Sequence, residues 1–179
     1  MSAETQKYRL ITRSDFDGLV CAVLLRHLDL IDDIKFVHPK DMQDGKIEVT
    51  GLDALKLLQR VTDSNVDKPV GSTTYTQFLN TRGGIEADVT VIRIEPQKFW
   101  VITGSGFIAN DLAWLQMHLD EADDVTLRDV TLDYACLALM GPKSRSVLSK
   151  VTSDSVTNEA FPYLTARYIN INGARVWAQ

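Results

Sequence analysis

The segment Tyr75-Thr-Gln-Phe-Leu-Asn-Thr-Arg-Gly-Gly-Ile-Glu-Ala-Asp88 constrains this chain more tightly than any other. Residues 72–79 and 85–95 are rich in Thr, Val, Ile, Tyr and Phe, which suit a pleated strand, and Asn80 to Gly84 carry turn chemistry between them. The pattern predicts a β-hairpin. Asp88 then lies inside a strand, just before Val89-Thr-Val-Ile, although Asp is depleted in strands because its short side chain favours caps and turns. Either Asp88 sits on a solvated sheet face, or it faces a ligand. Register bears on the choice. If the loop is Thr81–Gly84, Asn80 pairs with Ile85 and Tyr75 with Thr90, and Tyr75, Glu86, Asp88 and Thr90 share a face. A five-residue loop would put Tyr75 and Asp88 on opposite faces.

The 179 residues fit one domain or two small ones. A net charge of −5 and a pI near 5.1 argue against a nucleic-acid binder, whose footprint is basic. The polar start Met-Ser-Ala-Glu-Thr-Gln-Lys does not read as a signal peptide, and the longest apolar run, Leu19 to Leu25, falls short of the ~20 residues a membrane span needs. A cytoplasmic protein without membrane partners is expected. Cys21 and Cys136 lie in apolar segments without paired spacing and read as reduced core residues, with catalytic thiols as the alternative.

Residues 7–38 read as strand, loop, helix, strand. Tyr8–Thr12 is the first strand, Leu19–Ile31 a helix apolar nearly all round, and Ile34–Val37 a parallel second strand. Asp15 and Asp17 fall where strand gives way to helix. Two carboxylates there would suit Mg²⁺ or Mn²⁺, which favour such oxygens; equally, one caps the helix and the other is solvated. The three histidines form no ligand cluster in the sequence.

Further on, Leu52–Val61 reads as a helix, with Thr50 and Asp53 resembling a capping box. Ile108, Leu112, Leu115 and Leu119 form a helical stripe opposite Asp111, His118 and Glu121, which makes His118 a surface residue. Val125–Val130 and Tyr134–Met140 read as strands, Ser144–Val151 as a short helix, and Thr165–Trp177 as a hairpin turning at Asn172-Gly173.

Tyr75–Asp88, Val89-Thr-Val-Ile-Arg-Ile, Lys98-Phe-Trp-Val-Ile-Thr-Gly104, Asp111-Leu-Ala-Trp114, Leu137-Ala-Leu-Met-Gly-Pro142 and Phe161-Pro-Tyr-Leu-Thr-Ala166 together resemble the tetrahydrofolate-binding aminomethyltransferase family. That family holds the glycine-cleavage T-protein and the folate domains of dimethylglycine and sarcosine dehydrogenases. The resemblance runs from about Lys46 to about Arg175. It implies that Asp88 sits beside the folate nitrogens as the catalytic carboxylate and that Tyr75 lines the same pocket. Thr90, on the face shared with Asp88, joins the implied site, and Gly104 stands where T-proteins carry a folate-contacting asparagine. T-proteins also have two adjacent acids where this chain has Ala87-Asp88; both departures resemble the dimethylglycine and sarcosine dehydrogenase branch. The family pattern continues with a pterin-gripping glutamate and an arginine that this sequence does not reach, so an incomplete site with weak or no activity alone is expected.

Arg9-Leu-Ile-Thr-Arg-Ser-Asp-Phe-Asp-Gly-Leu-Val20, through Asp44, resembles the start of the DHH phosphoesterases of the exopolyphosphatase-like branch. That likeness implies a metal role for Asp15 and Asp17, although the Asp-His-His motif is absent. The sequence therefore leads us to expect an α+β fold: a β-α-β segment over residues 1–45 and a partial folate-binding domain over 46–179, merged into one core of mixed or antiparallel sheet with packed helices. Burial of the 19–31 helix, in a homo-oligomer if not within the chain, is expected. Three functions stand: a folate-binding one-carbon-transfer domain, a divalent-metal phosphoesterase fragment, or a non-catalytic, chimeric structural protein.

Overall fold

The computed structural model describes residues 7–13, 16–37 and 44–179. The chain divides into two compact units, Met1–Gln43 with Cys136–Ala138, and Asp44–Ala135 with Leu139–Gln179.

In the first unit, β1 (Tyr8–Arg13) and β2 (Ile31–Val37) pair in parallel, with α1 (Phe16–His27) between them in sequence. The helix stops short of the expected Ile31, because Asp29 adopts a left-handed φ of 56° and turns the chain into β2. Within this unit the two strands cover little of the helix. Ala22 is buried, whereas Leu19, Val23, Leu24 and Leu28 are at least half exposed. A single helix against two strands can bury only the stripe that faces them. Cys21 and Cys136 are both exposed, which corrects their reading as core residues.

The second unit is built on an antiparallel sheet of order β4-β5-β6-β3-β7. Its strands are β3 (Asp44–Thr50), β4 (Thr73–Leu79), β5 (Ile85–Glu95), β6 (Lys98–Gly104) and β7 (Thr126–Asp129). One sheet face packs on α2 (Ala54–Val61) and α3 (Ile108–Met117). Ile47, Val49, Phe78, Val89, Val91, Phe99 and Val101 meet Leu57, Leu58 and Leu115 there in one buried cluster. Burying a side chain of this size contributes about 1.5–3 kcal/mol, so this face supplies the bulk of the stabilisation. Asp111 corrects the helical-stripe reading: it is 1% exposed, on the packed side of α3, with its carboxylate bound by the Thr103 hydroxyl of β6. A buried carboxylate persists where such a partner stands opposite it.

Other elements depart from expectation for local reasons. Tyr134–Met140 forms no strand. Apolar residues make a strand only beside a ladder partner, and Tyr134 instead turns its ring onto Trp100, centroids 4.9 Å apart. The capping box at α2 is also absent: the Asp53 carboxylate accepts the Asp124 N–H at 3.0 Å rather than a helical one. After α4 (Ser144–Leu148), β8 (Arg167–Ile171) and β9 (Ala174–Ala178) form the expected hairpin. Its turn residues Asn172 and Gly173 have φ of 48° and 89°, the pair of positive values that a tight two-residue turn requires.

Gly51, between β3 and α2, has φ of 126°, and a Cβ there would meet the Asp124 carbonyl oxygen at 2.0 Å. Backbone strain and collision then act together. Gly51→Ala is expected to lower the unfolding free energy by about 2 kcal/mol or more, read from the midpoint of urea denaturation.

Candidate functional site

The opposite face of the sheet carries the residues that the sequence marked. Tyr75 pairs with Thr90 and Gln77 with Asp88 across β4 and β5, and Thr90 pairs with Ile102 on β6. Gly104 lies two residues beyond Ile102 in β6 and so on the same side as Thr90. Tyr75, Asp88, Thr90 and Gly104 thus share one face.

The route to this register differs from the expected four-residue loop. Five residues, Asn80 to Gly84, separate the strands, and Leu79 rather than Asn80 pairs with Ile85. The pairing then shifts between Phe78 and Leu79, leaving Glu86 outside the ladder as a bulge. The extra loop residue and the extra strand residue cancel, so Tyr75 and Asp88 stay on the same side. Asn80 closes the turn. Its Oδ1 accepts the N–H groups of Arg82 and Gly84, both at 2.9 Å, while its Nδ2 donates to Glu86 Oε1 at 2.6 Å.

Asp88 is exposed, and both its oxygens are engaged from β4. The Tyr75 hydroxyl donates to Oδ2 at 2.5 Å and Gln77 Nε2 donates to Oδ1 at 2.7 Å. The hydrogen bond to Asp88 raises the Tyr75 hydroxyl above its ordinary pKa, with desolvation and the carboxylate's charge acting the same way. Tyr75 is itself 60% exposed, so its ring stands open to a ligand. The arrangement offers a doubly held carboxylate beside an exposed aromatic face. Two shallow hollows elsewhere, one along Leu139, Pro142 and Val147 and one along Lys150, Asn170 and Gly173, include none of these residues.

Two features here escaped the sequence reading. Gln77 is one; the pairing of Tyr75 with Thr90 already set it opposite Asp88, and that register was the available signal. The other is an ionic and aromatic cluster on the same face. Glu48, 8% exposed, binds Lys98 at 2.8 Å, the Trp100 indole N–H at 3.2 Å and Arg128 at 3.4 Å. Trp100 also packs edge-on to Trp177, and the Lys46 ammonium lies 4.2 Å from its ring centroid. Burial alone would push the Glu48 carboxyl up and is the largest single influence. The bonds and charge from Lys98, with those from Trp100 and Arg128, together outweigh it and hold Glu48 below its usual value.

The metal reading finds no described ligand set. Asp15 lies outside the described residues, Asp17 enters α1 without a described side chain, and among the described residues no cluster of His, Cys, Asp and Glu is arranged to hold an ion. His118 is half-buried rather than fully exposed, its Nδ1 2.8 Å from the Trp114 carbonyl oxygen. No described helix is long and apolar enough to cross a membrane.

Two titrations follow. Asp88→Asn is expected to bring the Tyr75 pKa down toward its ordinary value, read by NMR of the ring as pH rises through about 10; an unchanged value would disprove the contact. Glu48, ionised more readily folded than unfolded, contributes stability that is present above its ordinary pKa and is lost as pH falls through the lowered folded one. Glu48→Gln is expected to flatten that acid-side loss in urea midpoints measured between about pH 5 and pH 3.

Residues 41–179 match the family model of the GCVT N-terminal domain. Mitochondrial dimethylglycine dehydrogenase of Mus musculus is 34% identical over 135 residues, covering 75% of this chain and 15% of that protein. The mitochondrial pyruvate dehydrogenase phosphatase regulatory subunit of Mus musculus is 34% identical over 134 residues, 73% of this chain and 15% of that one. The chain therefore spans about 15% of the length of these relatives. The crystal structure of glycine cleavage system aminomethyltransferase T from Bartonella henselae superposes with a TM-score of 0.56, over 70% of this chain and 34% of that one, at 18% identity. That likeness is one of fold, an α+β domain with an antiparallel sheet. Through residues 41–179, the chain belongs to the GCVT N-terminal domain family.

Proposed function

We propose that this chain contributes a tetrahydrofolate site, with Asp88 facing the folate nitrogens, to one-carbon transfer of the aminomethyltransferase kind. The observation that carries the reading is the placement of Tyr75 and Asp88 on one open face, joined by a 2.5 Å hydrogen bond. The donor set fits such a ligand. An ionised carboxylate only accepts hydrogen bonds, and a reduced pterin presents N–H groups to it. The exposed Tyr75 ring offers an apolar face for a flat heterocycle.

Bound tetrahydrofolate supplies nitrogens that take up a one-carbon unit. Asp88 would hold those N–H groups and could accept a proton from one of them. Tyr75 would offer its exposed ring to the ligand, with Thr90 and Gly104 on the same face beside it. Because Asp88 and Tyr75 stand in water, their electrostatic effect is screened, and weak binding is expected of the chain alone.

A second reading, a non-catalytic folate-type domain, is favoured by the same exposure and by the relative named as a regulatory subunit. Calorimetric titration of the chain with tetrahydrofolate, beside Asp88→Ala, separates the two. Saturable heat that Asp88→Ala weakens by about tenfold or more would support the first, since a lost charge-assisted hydrogen bond costs about 1.5–3 kcal/mol. A folded wild-type chain that takes up no ligand would leave the second.

A further inference from the structure

We infer that Gln77 is the positioning residue for Asp88, fixing its Oδ1 from a point on the edge strand that Asp63 clamps. This rests on the reading of Asp88 as the ligand-facing carboxylate. Gln77 stands directly opposite Asp88 in the ladder and donates from Nε2 at 2.7 Å. A carboxylate can only accept, so the amide nitrogen must face it, and the rotation of the Gln77 amide is settled.

A long amide side chain on an edge strand would ordinarily wander, but both backbone polar groups of this residue are held by Asp63. Asp63 Oδ1 accepts the Gln77 N–H at 3.1 Å, and the Asp63 N–H donates to the Gln77 carbonyl at 3.1 Å. The same Oδ1 takes the hydroxyl of buried Thr76 at 2.5 Å and that of Ser64 at 3.2 Å. The Thr76 hydroxyl first, and then the Gln77 N–H, hold the Asp63 carboxyl below its usual pKa, which keeps the clamp ionised into mild acid. The two donors to Asp88 therefore differ. Gln77 is half-buried on a pinned backbone, whereas Tyr75 is 60% exposed and free to yield. Gln77 keeps Oδ1, and Oδ2 is the oxygen that Tyr75 shares with, or surrenders to, an incoming N–H.

The test uses the full chain, tetrahydrofolate as probe, and the variants Gln77→Ala and Gln77→Glu. Gln77→Ala is expected to weaken binding about tenfold with an unchanged thermal midpoint. Gln77→Glu sets two carboxylates face to face. It should bind worse than Gln77→Ala at about pH 8 and recover at about pH 5.5, where the pair holds one proton between them. The wild type should show no such recovery. Wild-type affinity in Gln77→Ala, or a Gln77→Glu defect that ignores pH, would overturn the inference. Should the wild type bind no tetrahydrofolate, the folate reading fails by itself, and the free protein decides this one. A Gln77 side-chain amide NMR signal that moves in Asp88→Ala supports the positioning contact; one that stays in place overturns it.

Discussion

The antiparallel register between β4 and β5 decides which side chains this domain buries and which it presents. Side chains alternate along a strand, so a slip of one residue would send every one to the other face. Phe78, Val89 and Val91 point to the helices and are essentially fully buried, while Tyr75, Gln77, Asp88 and Thr90 point the other way. The five-residue loop alone would break this partition, and the Glu86 bulge restores it. Asn80 ties the two irregularities together by binding both the turn amides and the Glu86 carboxylate. The candidate site is thus inseparable from the core: the same register serves both.

The two faces of the sheet solve different problems. The helix side is largely apolar, with the buried Asp111 carboxylate bound by a strand hydroxyl. The other side passes from the open carboxylate of Asp88 to the closed cluster around Glu48. Glu48 is surrounded by Lys98, Arg128 and the Trp100 indole, which outweigh the cost of its burial. Asp88 is exposed and takes its two described hydrogen bonds from the neutral donors Tyr75 and Gln77. That difference leaves Asp88 available to a ligand, while Glu48 is committed to holding three strands together.

Much of this was legible locally. Both hairpins and the strand–helix–strand order of the N-terminal segment follow from period-2 patterning and turn residues, which act over a few positions. The shared face of Tyr75 and Asp88 was expected from a four-residue loop and is reached instead through five loop residues and the Glu86 bulge. The Asn172-Gly173 turn is the plainest instance, since few other pairs adopt two positive φ values so readily. Tyr134–Met140 misled because an apolar, β-prone run says nothing about whether a ladder partner lies beside it.

By itself, the amino-acid order determined where strands and turns form and set a carboxylate and a tyrosine on neighbouring strands. Only the tertiary structure decided the rest. Glu48 meets Lys98 and Trp100 from one neighbouring strand and Arg128 from the other, Asp63 reaches Gln77 from beyond α2, and Asp111 is buried because Thr103 stands opposite it. These contacts join residues distant in sequence, and their strength depends on burial and on hydrogen-bond geometry. Neither is a property of a local segment, so neither is written in its periodicity.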